Sequence, residues 1–173
     1  MIWLKKKMPI IILLIILVLF LIFLIFYEPN VKTNFVENMT VEKTEDLFFV
    51  YETVMYPSNV QIIRLKNKSN ITVGITGDPW NINFGSIPIG VESRRFVNLA
   101  NYKNENYKVK INVYGNISPM ISFDKNNFIM HKGDELKLTV LLNSTVSAKT
   151  GNFTGEIDII SKSVKFQFLE VFL

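Results

Sequence analysis

The longest apolar run of the chain lies close to its N-terminus. Residues 8–27 read MPIIILLIILVLFLIFLIFY, and no charged side chain interrupts them. A helix of this length spans about 30 Å, which matches the hydrocarbon thickness of a bilayer. A helix that is apolar on every side also fits lipid better than the core of a soluble domain, which is the alternative. The pattern therefore predicts a transmembrane helix over residues 8–27.

The end of this run distinguishes an uncleaved anchor from a signal peptide. A signal peptide has a shorter apolar core of about 7–15 residues, followed by small residues at its cleavage site. Here bulky residues continue to Tyr27, and Glu28 and Pro29 follow with no Gly, Ala or Ser nearby. We therefore expect the helix to be retained as a signal anchor.

The charges on either side of the run predict its orientation. Lys5, Lys6 and Lys7 precede it, whereas Glu28 follows it. Because positively charged flanks stay in the cytoplasm, residues 1–7 form a cytoplasmic basic tag. The predicted localisation is the cell membrane, with a single pass, a cytoplasmic N-terminus and an extracellular C-terminal domain.

The pattern changes from a continuous apolar run to alternation along the rest of the chain. Residues 28–46 are polar and lack a period, which predicts a stalk or linker. In residues 47–173, short segments of period two recur between turn signals, most clearly at Tyr107–Tyr114 and Leu136–Leu142. Short strands at a spacing of about 8–12 residues are typical of a sandwich or barrel. The predicted class is therefore an all-β, antiparallel sandwich over residues 47–173.

The pattern also sets expectations for both ends of this domain. Tyr56-Pro57-Ser58-Asn59 predicts a turn after a first strand at Leu47–Met55. Val164–Phe172 predicts a last strand that is apolar on both faces, and we expect Leu47–Met55 to cover it, with strand addition by another protein as the alternative. Residues 47–79 are too few to close a sandwich alone, so we interpret them as part of one domain rather than as a degenerate repeat.

Four short motifs in residues 80–172 narrow the fold further. They read NFGSIPIG at 83–90, RFVNLAN at 95–101, HKGDELKLTV at 131–140 and GNFTGEIDI at 151–159. They resemble the immunoglobulin-like domains of the group that contains major sperm protein, the abnormal-spindle and hydin repeats, and many prokaryotic surface proteins. The resemblance implies an immunoglobulin-like β-sandwich with a binding or scaffolding role and no shared catalytic site.

Small residues and one turn in these motifs carry their own expectations. We expect Gly85 and Gly90 to adopt positive φ where the chain changes direction, and Pro88 to lie on a sheet edge. Gly151 and Gly155, which flank Phe153, are expected to allow a tight turn into the penultimate strand. The chain departs from the group's usual L-x-N-x-G turn after Asn101, so a longer turn is expected there.

The composition changes the list of expected partners. Three of the 19 basic residues belong to the N-terminal tag, which leaves 16 basic against 15 acidic residues beyond it. The outer part is therefore nearly neutral and has no dense Lys/Arg patch, so nucleic acid is not an expected partner. The richness in Ile, Phe, Asn and Lys is typical of an AT-rich prokaryotic genome, such as an archaeal one.

The residues that usually carry chemistry are sparse. The chain has no cysteine and a single histidine, His131, which we expect to be a solvated surface residue. Asp124, Asp134 and Glu135 lie near turns, but the spacing of a calcium-binding EF-hand is absent, so we interpret them as turn residues. No phosphate-binding loop or nucleophile elbow occurs. We therefore expect no enzyme activity, no catalytic or metal site and no cofactor.

Glycosylation signals are more frequent than chance alone predicts. The pattern Asn-x-Ser/Thr marks six possible N-glycosylation sites, at Asn38, Asn67, Asn70, Asn116, Asn143 and Asn152. Chance would give roughly two or three such matches. All six observed motifs lie on the predicted outer side of the membrane. The alternative is that an Asn-rich composition produces the excess.

Together these features predict a single-pass, membrane-anchored cell-surface protein that presents a non-catalytic β-sandwich. Its expected partners are the membrane and envelope proteins or polymers. One alternative is an accessory subunit of a membrane machine, such as a pilus or archaellum stator. The other is an enzyme of an unfamiliar type.

Overall fold

The molecule is divided into two units. The computed structural model describes residues 12–22, 32, 34–64, 80–145 and 149–173. The chain separates into compact units at residues 1–33 and 34–173. The first contains the apolar helix and the second contains the β-sheets, and each is described by itself below.

Residues 12–22 of the first unit are helical. Their side chains are exposed by 45–67%, and all of them are Ile, Leu, Val or Phe. Among the described residues, no helical segment combines the length and the apolar character of a bilayer span. Residues 8–11 and 23–27 of the predicted transmembrane helix lie outside the described residues, so that helix stays a prediction.

The second unit is built from strands, as the alternating pattern predicts. Its described residues form β1 (Thr40–Glu45), β2 (Phe49–Ile63), β3 (Ile82–Pro88), β4 (Glu92–Ala100), β5 (Tyr107–Gly115), β6 (Ile121–Phe123), β7 (Phe128–Met130), β8 (Glu135–Asn143) and β9 (Gly151–Val164). Two short 3-10 helices lie at Ser118–Met120 and Gln167–Phe172. The all-β class is confirmed.

The strands form two sheets. The larger has the order β1-β2-β9-β5-β7, with β3 also paired to β2, and the smaller has the order β4-β8-β6. The pairings are antiparallel except for β2 with β3, which is parallel. Because β1 pairs with residues 50–55 of β2 and β3 with residues 58–63, the two strands share one edge of β2.

The hydrophobic core lies between the two sheets. Leu138, Val140 and Leu142 on the central strand of the smaller sheet are fully buried. They belong to the same buried cluster as Ile157 and Ile159 on β9 of the larger sheet. Alternate residues of β5 and β8 enter this cluster, as expected for strands with one buried face. Two sheets around one core agree with the predicted all-β sandwich.

The predicted turn at residues 56–59 is wrong, because β2 runs through it. Pro57 is in register with Glu156 of β9. On the other edge of β2, the pairing with β1 extends only as far as Met55, and the pairing with β3 starts at Ser58. Pro57 therefore lies in the gap between these neighbours, where its missing N–H removes no ladder bond. Residues 49–63 belong to the same sheet as β9, so they are part of one sandwich.

The predicted C-terminal strand at Val164–Phe172 is also wrong, because β9 ends at Val164. The expected partner is nevertheless present: residues 49–55 pair with residues 158–164. The Lys165 N–H still donates to the Phe48 carbonyl at 2.8 Å. Beyond that point β2 offers no further partner, and the chain turns into the 3-10 helix at Gln167–Phe172.

The sheet begins within the segment that the sequence assigns to the stalk. Thr40–Glu45 form β1 and pair with residues 50–55 of β2. All six residues of β1 are exposed. An edge strand without a buried face carries no hydrophobic alternation, so its sequence resembles that of a linker.

Glycine conformations confirm part of the motif analysis. Gly85 and Gly90 have φ of 72° and 88°. Gly85 lies where the pairing of β3 with β2 shifts register, so its positive φ serves a β-bulge. Pro88 ends β3, which pairs with β2 on one side only among the described residues.

Gly155 has a different role from the predicted turn. It lies inside β9, in register with Gly115 of β5. A Cβ atom at Gly155 would lie 2.0 Å from the Tyr114 carbonyl oxygen and 2.7 Å from the Ile117 side chain. Glycine is therefore required because the backbones of β5 and β9 approach closely at this point.

Gly155→Ala tests this close approach. The new methyl group must displace backbone atoms of β5, so we expect the free energy of unfolding to fall by about 3 kcal/mol. Gly90→Ala is the control, because its Cβ meets no atom within 4 Å. It should cost only about 1 kcal/mol for the positive φ. Chemical unfolding of the full chain in detergent, followed by β-sheet circular dichroism, measures both, and equal costs would contradict the packing role.

Candidate functional site

The predicted glycosylation residues lie on the surface where the structure describes them. Asn38, Asn116 and Asn152 are exposed, and Asn143 is half-buried at the end of β8. Asn67 and Asn70 lie outside the described residues. Their use as glycosylation sites stays a prediction.

Two of these asparagines shape turns through their side-chain oxygens. Asn143 Oδ1 accepts from the Thr145 N–H at 2.9 Å and also from the Thr145 hydroxyl. Asn116 Oδ1 accepts from the Thr154 N–H at 2.6 Å. The amide nitrogen that would carry a glycan is not used in these bonds.

The remaining candidate residues act in turns. His131 is exposed, as predicted, and its N–H donates to Asp134 Oδ2 at 2.8 Å. Asp124 Oδ1 accepts from the Thr139 N–H at 2.9 Å. Across the described residues, no group of three or more His, Cys, Asp or Glu side chains could hold a metal ion.

Asn101 of the L-x-N motif organises one end of the sandwich. It is 1% exposed. Its Nδ2 donates to the Glu105 and Met130 carbonyls at 2.9 and 3.2 Å, and its Oδ1 accepts from the Lys103 N–H at 3.0 Å. The longer turn expected after Asn101 spans residues 101–106 and displays Tyr102, which is 86% exposed.

Sequence analysis missed a row of buried charges on β9. Glu156, Asp158 and Lys162 alternate on the face of the larger sheet that points away from the core. The Val36 N–H donates to Glu156 Oε2 at 2.6 Å, and Lys162 Nζ lies 3.8 Å from the centre of the Phe49 ring. In the sequence, this row is visible as charged residues two or four positions apart in a segment otherwise rich in Ile. These contacts tie the first residues of the domain to the sheet.

The outer side of the smaller sheet carries a candidate interaction surface along β4. We define the β4 edge as Phe96–Ala100, the half of β4 that contains no charged residue. Among the described residues, β4 pairs with β8 and with no strand on its other side. Phe96 is 54% exposed, and Lys137 Nζ lies 4.0 Å above its ring. Within the part of the chain that the structure describes, the outer side of this edge has no strand partner, and an aromatic ring lies beside it.

A groove continues from the β4 edge. It has a volume of about 420 Å³ and is lined by Asn98, Leu99, Ala100, Tyr102, Glu135, Leu136 and Lys137. Leu99, Ala100 and Leu136 give the groove an apolar part, and Glu135 and Lys137 add one charge of each sign. Such a surface suits a polypeptide rather than a small polar substrate.

The first half of β4 is fixed to its neighbour by Arg95. Its Nε donates to the Asn83 carbonyl at 2.8 Å, and its guanidinium lies 5.7 Å from the centre of the Phe84 ring. Burial lowers the pKa of Arg95, although an arginine remains a cation at neutral pH. The contact holds β4 against β3 and leaves the β4 edge beyond it.

The end of the sandwich near the C-terminus exposes apolar side chains. We define the apolar cap as Leu47, Phe166, Phe168, Val171 and Phe172, which are exposed by 47–83%. Phe166 and Phe168 stack with ring centres 5.8 Å apart. Sequence analysis recognised that this segment is apolar on both faces but placed it in a strand.

A carboxylate fixes the turn that carries Leu47. Asp46 Oδ1 accepts from the Phe48 and Phe49 N–H groups at 2.8 and 2.7 Å, and the Tyr51 hydroxyl donates to Asp46 Oδ2 at 3.0 Å. Burial alone would raise the pKa of Asp46, but these hydrogen bonds together hold it below its usual value. The turn between β1 and β2 therefore depends on an ionised Asp46.

Comparison with known proteins adds no family. No protein-family model matches the chain, and no curated protein or solved structure is significantly similar to it. The β4 edge and the apolar cap are therefore the features that bear on function.

Asp46→Asn tests the charge on this turn. Because the pKa of Asp46 is lowered in the folded state, its stabilisation is present above the ordinary carboxyl pKa and is lost as pH falls through the folded-state value. We expect the variant to be less stable than the parent at pH 7, and the difference to shrink below about pH 4. Tyr51→Phe, which keeps both amide bonds, should show a smaller difference. Urea unfolding at several pH values measures these differences in stability. A difference that does not change with pH would argue against an ionised Asp46.

Proposed function

We propose that this chain is a single-pass membrane protein that presents an extracellular, immunoglobulin-like β-sandwich to bind an extended segment of another envelope protein. The proposal keeps a cytoplasmic N-terminus, and it assigns no catalytic role to the domain. Anchoring is supported by the uncharged run at residues 8–27, whose described part is an exposed apolar helix. Binding is supported by the β4 edge.

The β4 edge is the observation that carries the binding role. An exposed strand edge can pair with an added strand through main-chain hydrogen bonds, while neighbouring pockets select side chains. Phe96 is available as an aromatic anchor because its ring is half-exposed and Lys137 covers only one side of it. The groove around Tyr102 offers a place for the next side chains of the partner. An extended polypeptide fits these features better than an envelope polymer, which would not satisfy the strand edge.

The immunoglobulin-like assignment rests on the match between motif and geometry. Gly85 and Gly90 of the first motif have positive φ, and Asn101 of the L-x-N motif is buried and makes several hydrogen bonds. These positions have physical roles that a domain of this group would need. We propose the same group resemblance for residues 80–172 as the sequence motifs imply.

Glycan attachment is part of the proposed surface location. Asn116 follows the end of β5, and Asn152 lies near the beginning of β9; both are exposed. Asn143 ends β8. The pairing of Gly115 with Gly155 and of Glu92 with Asn143 places these residues toward the end of the sandwich opposite the apolar cap. Glycans there would leave the β4 edge and the cap uncovered.

The proposed orientation is testable because the chain has no cysteine. In intact cells, a membrane-impermeant maleimide should label Lys132→Cys, which lies in an exposed turn, and should not label Lys5→Cys. After lysis both should react. Labelling of position 5 and protection of position 132 in intact cells would reverse the orientation.

Photocrosslinking tests the binding role of the β4 edge. A benzophenone side chain replaces Phe96 in one variant and Ile129 in another, since Ile129 is 45% exposed on the outer face of the larger sheet. The position 96 variant should crosslink a discrete envelope protein in living cells, and position 129 should not. With the benzophenone at Asn98 instead, adding Phe96→Asp should lower the yield of the crosslink from position 98 roughly tenfold, because an aromatic anchor is lost.

The identity and position of the crosslink decide the proposal. Crosslinks of equal yield at positions 96 and 129 would indicate random collision and contradict a specific edge site. A crosslinked component of a secretion or motility complex would favour the accessory-subunit alternative for the same edge. Absence of any crosslink at position 96 in cells where the chain is labelled at the surface would refute the binding role.

A further inference from the structure

The hydrogen bonds just beyond the two ends of β4 show which of its main-chain groups point away from β8. The Val91 carbonyl accepts from the Ser144 N–H at 3.2 Å, and the Asn101 N–H donates to the Asp134 carbonyl at 2.9 Å. Both pairs continue the register of β4 with β8, which has no shift along its length. In an antiparallel ladder, alternate residues direct both main-chain groups to the same neighbour. Even-numbered residues of β4 therefore point their N–H and C=O groups away from β8.

The same alternation divides the side chains of β4 between two faces. Phe96 and Asn98 are exposed on the outer face, whereas Val97 and Leu99 pack against the core on the inner face. A strand added at the β4 edge would bond to the even-numbered residues and extend both faces of the sheet. Its residues opposite Val97 and Leu99 would have to be apolar, and its residue opposite Phe96 would have to leave room for the ring.

The β4 strand of a second copy meets these requirements. Two copies related by a twofold axis perpendicular to the sheet bring β4 beside β4 in antiparallel orientation. With Asn98 opposite Asn98, Phe96 lies opposite Ala100, and Val97 lies opposite Leu99. Even-numbered residues then face even-numbered residues, so the main-chain groups that point away from β8 in one copy meet those of the other.

The outer side chains are complementary in this register. The large Phe96 ring of each copy lies beside the small Ala100 of the other. Arg94 lies beside Tyr102 of the second copy, which is 86% exposed in the single chain. A guanidinium close to an aromatic ring is a favourable contact. In the single chain Arg94 is exposed as well, and its Nη2 lies 4.0 Å from Glu92 Oε2.

The two neighbouring registers fit less well. Moving the centre of the pairing from Asn98 to Val97 or to Leu99 keeps even-numbered residues opposite one another. The first change places Arg95 opposite Leu99, so that a cation meets an apolar side chain. The second places Arg95 opposite Lys103, which brings two cations together, and like charges directly opposite one another destabilise paired strands. The register centred on Asn98 avoids both.

We propose that the β4 edges of two copies pair in the register centred on Asn98, and that this symmetric dimer joins the two smaller sheets into one. Among the described residues, no strand occupies this side of β4. The inference goes beyond the proposed function, because self-pairing needs neither an envelope partner nor a membrane anchor. Both use the same edge, so a partner segment can add only where the two copies have separated.

Single-cysteine variants of the full chain in detergent test the register, because the chain has no cysteine of its own. Asn98→Cys would place two thiols opposite each other with Cα atoms about 5.5 Å apart, which is within the range of a disulfide. With copper phenanthroline as oxidant, we expect most of this variant to run as a disulfide-linked dimer. Phe96→Cys alone should give little dimer, because its two copies are offset by about 13 Å along the strands. A mixture of Phe96→Cys and Ala100→Cys chains should give the mixed disulfide.

Asn98→Lys tests the pairing without a crosslink. Each copy places its new cation directly opposite that of the other, which destabilises the paired strands. Asn98 is exposed in the single chain, so the fold should be kept, and β-sheet circular dichroism checks that it is. We expect the Kd of the dimer, measured by sedimentation equilibrium in density-matched detergent, to rise roughly tenfold. The control Ile129→Lys, on the outer face of the larger sheet, should leave it unchanged.

The outcomes separate this inference from the proposed function. A purified parent chain that stays monomeric overturns the inference, and so does a dimer whose Kd responds equally to Asn98→Lys and Ile129→Lys. Disulfides of equal yield from Asn98→Cys, Phe96→Cys and Ala100→Cys alone would mean random collision and also overturn it. A monomeric chain whose position 96 captures an envelope protein in cells keeps the proposed function without the dimer. A dimer with the expected disulfide pattern but no such capture keeps the inference and refutes the proposed function.

Discussion

The long ladder between β2 and β9 is the constraint on which the rest of the domain depends. It joins Phe49 with Val164 at one end and Ile62 with Gly151 at the other, so the first long strand of the domain pairs with the last. β1 and β3 can pair only along the free edge of β2, and β5 only along the free edge of β9. Such a pairing joins residues that are 89 to 115 positions apart in the chain. It costs loop entropy that only the completed core offsets.

The same ladder explains how the two ends of the sandwich come to differ. At its far end, Gly155 of β9 lies opposite Gly115 of β5, and Asn152 and Asn116 are close to this pair in the chain. Its near end stops at Val164 because Phe48 offers the last partner, so the apolar residues that continue the chain have no ladder to join. The exposed cap is thus a consequence of where β2 begins. Side chains that would be strand residues in a longer sheet become surface residues here.

Local pattern predicted the strands whose neighbours impose a simple two-sided environment, such as residues 136–142 with one buried and one exposed face. It failed where distant pairing overrides the local signal. Pro57 looks like a turn residue, but the gap between β1 and β3 removes the need for its N–H. Ser161 to Ser163 are polar, yet they continue β9 and pair with residues 50–52 of β2. The sequence identifies the glycosylation motifs directly. The β4 edge instead depends on β8 being the only strand that pairs with β4 among the described residues, and no local pattern encodes that.

The edge strands of the described residues show why the second half of β4 stands apart. Exposed edges invite unwanted pairing, and proteins protect them with short strands, charges, Pro or bulges. β6 and β7 have three residues each, β1 is polar and exposed throughout, and β3 contains a bulge and ends in Pro88. Residues 92–95 of β4 carry Glu and Arg side chains, but residues 96–100 carry none of these devices. Lys137 lies above the Phe96 ring, but it belongs to β8 and not to this strand. Among the described residues, this stretch lacks the protection that the other edges have, which is the support for the proposed partner strand.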